Sequence, residues 1–163
     1  MENILVLSDI HSGVRRAVEA VKMHPECKTV FFLGDGCRHV DALCNAAPDA
    51  AVVAVMGNND TFLDGVSETE LVLEIGSHRI FMCHGHTRMA KSGTGAMLRA
   101  AKAKDCDIVL YGHTHHTHEE YDSESGVYIF NPGSIGVPHD GRCTYGLLSL
   151  DKNSVLFSIG EVE

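Results

Sequence analysis

The sequence predicts an α/β fold: two stacked mixed sheets flanked by helices, in a single domain over residues 1-163. Three observations predict it. Apolar runs alternate with helical periodicity through the first third of the chain. The last third reads as strands and turns, and five apolar runs end in oxygen- or nitrogen-bearing side chains, as strands do when their ends open on one rim. With 163 residues, 44% of them hydrophobic, the chain buries a sizeable core without staples.

In order, Ile4-Leu5-Val6-Leu7 is the first strand. Val14 to Met23 carries a Val14, Ala17, Val18, Val21 stripe at i, i+3, i+4, i+7 and is an amphipathic helix. Phe31-Phe32-Leu33 is a strand, Val40 to Ala47 a helix stopped by Pro48, and Val52 to Met56 a third strand. Residues 71-75 and 79-83 flank Gly76-Ser77 as a hairpin. A helix from Gly95 to Lys104 precedes the strand Ile108 to Tyr111. Strands follow at Thr117 to Tyr121, Val127 to Phe130, Thr144 to Leu150 and Val155 to Ile159. The early strands read as a parallel sheet and the late ones as an antiparallel sheet.

The strand ends carry the chemistry. They are Asp9-Ile10-His11, Gly34-Asp35, Gly57-Asn58-Asn59-Asp60, His84-Gly85-His86 and Gly112-His113-Thr114-His115. Asp at a strand end is by itself more often a helix N-cap than a ligand. Five such ends together are a metal-type set: carboxylate, imidazole and amide without thiolate suit a catalytic divalent cation such as Mn, Fe, Ni, Co or Zn rather than a closed structural zinc.

In this order the five blocks resemble the calcineurin-like metallophosphoesterases, whose pattern is D-x-H, G-D, G-N-H-D or G-N-H-E, H with a nearby Gly, and G-H-x-H. Asn131-Pro132-Gly133-Ser134 resembles the small bacterial and archaeal phosphodiesterase branch. The resemblance implies a four-layer α/β/β/α sandwich and two divalent metal ions, manganese first among them. It implies that Asp9, His11 and His115 hold one metal, that Asn58, His84 and His113 hold the other, and that Asp35 bridges them. The activity implied is hydrolysis of a small phosphodiester or phosphate ester by a hydroxide shared between the metals, with inversion and no phosphoenzyme. A second branch with this fold, the retromer subunit, implies the alternative of a protein-binding scaffold with little or no catalysis.

Asn59 departs from the pattern, which often has His there; an amide donates a hydrogen bond but delivers no proton. Asn58, itself among the implied ligands, Asn59 and His86 are the expected catalytic groups, His86 being the residue that could replace the missing acid. Asp60 is expected to orient the Asn58-Asn59 turn, and His116 and His118 to support the ligands. His24, His39, His78 and His139 read as surface or loop residues. Asn131 to Ser134 either closes over the site or props the His113 loop, and Arg38 and Arg142 are the cations to test for substrate contact.

A net charge of -9 argues against nonspecific nucleic acid binding, which needs a basic face, but not against a phosphate substrate, since cations reverse the local charge. The N-terminus lacks a secretory pattern and no window reaches the roughly 18 apolar residues of a membrane span, so a cytoplasmic protein is expected, with a homo-oligomer possible. Six cysteines without a C-x-x-C pair read as reduced core residues, with Cys37 and Cys83 closest to the ligands. Lys91-Ser92-Gly93-Thr94-Gly95 lacks the ending of a phosphate-cradling loop and reads as a connector or lid.

Overall fold

A computed structural model describes residues 1–163. Glu2–Leu7 forms the first strand, β1, whose Leu5 and Leu7 face one side and whose Ile4 and Val6 face the other; all four are buried. Burial on both faces explains why the run is continuously apolar rather than alternating. Helix α1 is Val14–Met23, β2 Thr29–Phe32, α2 Val40–Ala46 and β3 Ala51–Ala54. Then come β4 at Glu70–Ile75, β5 at His78–Cys83, α3 at Gly95–Ala103 and β6 at Ile108–Leu110. Strands β7 at Thr117–Asp122, β8 at Val127–Pro132, β9 at Cys143–Asp151 and β10 at Ser154–Val162 complete the chain.

The strands make two five-stranded mixed sheets, ordered β10-β9-β1-β2-β3 and β4-β5-β6-β8-β7. Both are mixed, as expected, but the parallel pairings are not confined to the early strands nor the antiparallel ones to the late strands. The first sheet joins parallel β1, β2 and β3 to antiparallel β9 and β10, and the second flanks parallel β5, β6 and β8 with antiparallel β4 and β7. Strand β9 returns to β1, pairing Leu150 with Glu2 and Gly146 with Val6. Gly146 permits the return, because the Phe130 ring fills the space its Cβ would need.

Three apolar layers separate four structural layers. Ile4, Val6, Phe31, Ile80, Ile108 and Phe130 pack between the sheets. Leu5, Leu7 and Phe32 pack under α1 and α2, and Phe81, Val109 and Ile129 under α3. Ala17, Ala20 and Val21 are the buried residues of α1, so Ala20 takes the place expected of Val18, which is half-buried. Helix α2 ends two residues before Pro48. All six cysteines are free and all but Cys44 are buried.

The parallel strands of both sheets run toward one rim, where their loops interlock by backbone hydrogen bonds. Asp9 N donates to Gly34 O at 2.9 Å, Gly112 N to His84 O at 3.0 Å, and Ile135 N and Gly136 N to Ser8 O and Asp9 O at 3.2 and 3.1 Å. The last two tie the loop after β8 in one sheet to the end of β1 in the other.

At the opposite end His78 is buried, contrary to the expectation of a surface residue. Its Nδ1 meets Asp107 Oδ2 at 2.6 Å and its Nε2 meets the Asp151 carbonyl at 2.8 Å. Two acceptors call for two N–H donors, which only the imidazolium has. Burial opposes that charge, but Asp107 and the Asp151 carbonyl outweigh it and raise the pKa of His78 above its ordinary value. A raised folded-state pKa adds stability that is complete below the unfolded value and lost as pH climbs through the folded one. We therefore expect His78→Gln to lose about 1 kcal/mol relative to the parent protein near pH 5.5, and distinctly less near pH 9, by urea denaturation at both pH values.

Candidate metal centre

The backbone at the rim is strained where the candidate ligands stand. Seven non-glycine residues have positive φ, and five of them are Asp9 (53°), His11 (46°), Asp35 (62°), His113 (69°) and His115 (59°). Left-handed backbone at a non-glycine residue costs of order 1 kcal/mol or more and persists where the surroundings impose it, commonly at functional sites. His113 and His115 are therefore not extended, as simple strand alternation assumes, yet their rings still part company.

His115 and His11 turn toward Asp9. His115 Nε2 lies 3.1 Å and His11 Nε2 3.8 Å from Asp9 Oδ1, and the two ring nitrogens are 3.4 Å apart. His84 faces the other side of the same carboxylates, with Nε2 3.9 Å from Asp9 Oδ1, 3.5 Å from Asp35 Oδ2 and 3.1 Å from Asn58 Oδ1. Asp35 Oδ2 also lies 3.7 Å from His11 Nε2, so it faces both groups. Two sets of donor atoms lie mutually within 4.8 Å: Asp9, His11 and His115, and Asp9, Asp35 and His84. Asp9 thus belongs to both, whereas the family resemblance implies sharing by Asp35 alone. His113 enters neither set; its ring stands edge-on to His84 at 5.1 Å, and its backbone N–H donates to Asp9 Oδ2 at 3.0 Å.

The arrangement is short of positive charge. Ser8 Oγ and His113 N both donate to Asp9 Oδ2, while Asp9 Oδ1 is buried without any hydrogen-bond partner. His84 gives its Nδ1 proton to the Leu33 carbonyl at 2.7 Å and His115 gives its own to the Val137 carbonyl at 2.6 Å, so both aim Nε2 lone pairs inward. Imidazoles oriented by backbone carbonyls are typical of metal-binding histidines. Carboxylate oxygen, amide oxygen and imidazole lone pairs converging without a donor among them fit divalent cations.

The same imbalance moves the titrations. Burial opposes the charge on His84, but Asp35 and Asp9 raise its pKa above the ordinary value, and the adjacent Asp9 carboxylate raises that of His115. Burial also works against ionised Asp35, yet His84 and Asn59 hold its carboxyl well below the usual range. Burial, then the charges of His84 and Lys91, push His113 down to about 4.

Asn59 is committed to Asp35: its backbone N–H donates to Oδ1 at 2.8 Å and its side-chain amide to Oδ2 at 2.6 Å. His86 sits at the rim with its ring 5.4 Å from that of His84 and its buried Nδ1 unpartnered; burial, then His84, lower its pKa. Asp60 orients its own turn through Gly57 N at 2.8 Å, and also the Asp35 loop, accepting from Asp35 N, Gly36 N and Cys37 N at 2.7 to 2.8 Å. Gly57 has no room for a side chain, because a Cβ there would strike the Asp35 carboxylate.

Asn131 props the His113 loop through Gly112 O and Thr114 Oγ1 at 3.0 and 3.1 Å, and Ser134 Oγ donates to Asp9 O at 2.9 Å. Arg38 donates to the His11 carbonyl at 2.8 Å, whereas Arg142 is paired with Asp140 and Glu161 on the surface. His39 holds the His11 carbonyl at 3.0 Å, and His139 stacks on His116 at 4.7 Å and lies 5.4 Å from His115. His118 meets Tyr111 Oη at 2.9 Å. Ser8, His39 and the carbonyls of Leu33 and Val137 carry no sequence signal, because their roles follow from which loops fold together. Cys37 and Cys83 are buried, and burial pushes both thiols up, Cys83 to about 12, so neither offers a thiolate.

Asp60→Asn would set an amide N–H against backbone donors. The expected loss is about 2 kcal/mol in denaturation together with about tenfold weaker Mn²⁺ binding by calorimetry.

No helix is long and apolar enough to cross a membrane. The chain is 28% identical over 153 residues to a probable metallophosphoesterase of Bacillus subtilis, covering 93% of this chain and 86% of that protein. It is also 28% identical over 163 residues to a phosphodiesterase of Methanocaldococcus jannaschii, covering 90% of this chain and 92% of the relative. A crystal structure of Vps29 from Entamoeba histolytica shares the fold at a TM-score of 0.76 and 22% identity, over 99% of both chains. The family model for the calcineurin-like phosphoesterase superfamily domain matches residues 2–153, and the chain belongs to that superfamily.

Proposed function

We propose that this protein is a divalent-metal-dependent phosphoesterase acting chiefly on phosphodiesters, with two cations held at the rim between the sheets. The observation that carries this reading is the convergence of proton acceptors around Asp9 Oδ1, a buried oxygen left without a donor. Asp9, His11 and His115 would hold one cation and Asn58, His84 and His113 the other, with Asp35 between them. The position of Asp35 Oδ2, 3.7 Å from His11 and 3.5 Å from His84, supports the bridging role. Oxygen and nitrogen donors without thiolate favour Mn, with Ni, Fe, Co or Zn as alternatives.

When bound, such cations neutralise phosphate oxygens and acidify water. The chain supplies the positioning. Asn59 fixes both oxygens of Asp35, so its amide is spent on the carboxylate rather than on the leaving group. His86, with its ring 5.4 Å from that of His84, would be the side chain to hydrogen-bond a departing oxygen. Ser8 and Ser134 donate their hydroxyl protons to Asp9, which leaves neither free as a nucleophile and favours direct inversion at phosphorus. The resemblance of sequence to a relative named a phosphodiesterase supports diesters over monoesters.

A protein-binding scaffold is the second reading. Phe62 and Leu63, 79% and 96% exposed on the turn after Asp60, favour it.

Metal-stripped protein reloaded with Mn²⁺ should cleave an aryl phosphodiester faster than the matching monoester, and Asp35→Asn should lower that rate by about 100-fold. Because no strong acid faces the leaving group, the rate should fall steeply as leaving-group pKa rises, by about 10² or more between a nitrophenolate and an alkoxide. Absence of cleavage with Mn²⁺, Ni²⁺ and Zn²⁺ would leave the scaffold.

A further inference from the structure

Each sheet leaves two strands with an unpaired side: β10 and β3 in the first, β4 and β7 in the second. A free edge offers its backbone N–H and C=O groups to any extended chain, and proteins commonly blunt it with shortness, charge or a bulge. Three of the four edges are blunted in this way. Strand β3 has only four residues, β4 carries Glu70 and Glu74, and β7 carries Glu119, Glu120 and Asp122.

Strand β10 is not. It runs nine residues, Ser154–Val162, with Glu161 as its one charged side chain and no proline. Its ladder with β9 pairs all of them in unbroken register, so no bulge turns the edge away. Outside that ladder no backbone hydrogen bond reaches residues 154–162, which leaves the outward row of groups to solvent. Leu156 and Ile159 are 58% and 41% exposed, on opposite faces of the strand.

The strand also complements itself. Two copies laid antiparallel about Ser158 set Phe157 opposite Ile159 of the second copy, and Leu156 opposite Gly160 of the second copy. Opposed residues share a face of the sheet. On the inner face Phe157 stacks on Phe130 at 4.4 Å, and Ile159 borders a groove of about 120 Å³ lined also by Phe130 and Thr117, so the two meet over an apolar floor. On the outer face the Tyr145 ring occupies the place that a Gly160 Cβ would take, so Leu156 enters a gap backed by an aromatic ring. Glu161 falls opposite Val155, and no like charges meet in the ladder. This matching of large with small and of acid with apolar fits a second copy of the chain better than an arbitrary strand.

We propose that β10 pairs antiparallel with β10 of a second copy across a twofold axis at Ser158, joining the two five-stranded sheets into one. Such an interface is isologous and closed, so the edge is consumed by one partner and does not seed a filament. Strand β10 runs in the direction of β1, because both are antiparallel to β9. The twofold axis therefore points the two rims toward opposite ends of the dimer.

Sedimentation velocity of the full chain across a concentration series tests the pairing. The parent should pass from one-chain to two-chain mass as concentration rises. Leu156→Lys and Ile159→Lys, one on each face, should each weaken the dimer by about tenfold, since every substitution acts twice in a symmetric interface. Leu63→Lys, on the other exposed apolar turn, should leave it unchanged. Register is read by oxidising Ser158→Cys in a Cys44→Ser background, Cys44 being the one exposed native thiol. Ser158→Cys should form a two-chain disulfide because the position faces itself, and Ser154→Cys should not. A parent that stays monomeric at every concentration would overturn the proposal and leave the edge to a strand of a different protein. A dimer that survives both β10 variants, or dissociates with Leu63→Lys instead, would overturn it by placing the contact elsewhere. Crosslinking through Ser154→Cys in preference to Ser158→Cys would overturn the register.

Discussion

The rim depends on how Asp9 divides its carboxylate. One oxygen is saturated by Ser8 and the His113 N–H, which fixes the plane of the group; the other is buried with no donor. A buried carboxylate oxygen without a partner is costly, and the usual remedies are a proton or a cation. Around it the imidazoles of His84 and His115 are each turned by a backbone carbonyl, so that lone pairs rather than N–H groups face inward. The fold imposes an electrostatic deficit at one point and surrounds it with groups that bind divalent metals.

Holding that deficit in place takes strain and bracing together. Five of the rim residues adopt left-handed backbone, at a cost of order 1–3 kcal/mol each. The bracing is spread over many bonds: four N–H groups converge on Asp60, Asn131 spans to Gly112 and Thr114, and loops from opposite sheets exchange backbone hydrogen bonds. The stability of the sandwich is what makes the strained rim sustainable.

The blocks that converge at the rim were legible in sequence because each is local: an apolar run ends and a metal-type side chain follows within three residues. The two helices before β3 and the β4–β5 hairpin were legible for the same reason, since periodicity and a Gly-Ser turn are short-range signals. The partition of strands between sheets was not, because β9 returns to β1 across almost the whole chain, and only the close approach of Gly146 to Phe130 reveals why it can. Likewise Asn59 reads as a weak stand-in for an acid, and only its contact with both oxygens of Asp35 shows it to be a brace. His78 looked superficial because nothing near it in sequence announces Asp107 or the Asp151 carbonyl as partners.

The return of β9 has a consequence in time. Strand β1 lies in the middle of its sheet, between β2 and a partner at residues 143–151. A ribosome must therefore deliver nearly the entire chain before the first strand, and Asp9 at its end, can settle. Long-range pairings of this kind form late and set the pace of folding. A nascent chain has the first candidate ligand within its opening residues and no finished place for it to act, so the rim that would take up a metal is assembled only as synthesis nears its end.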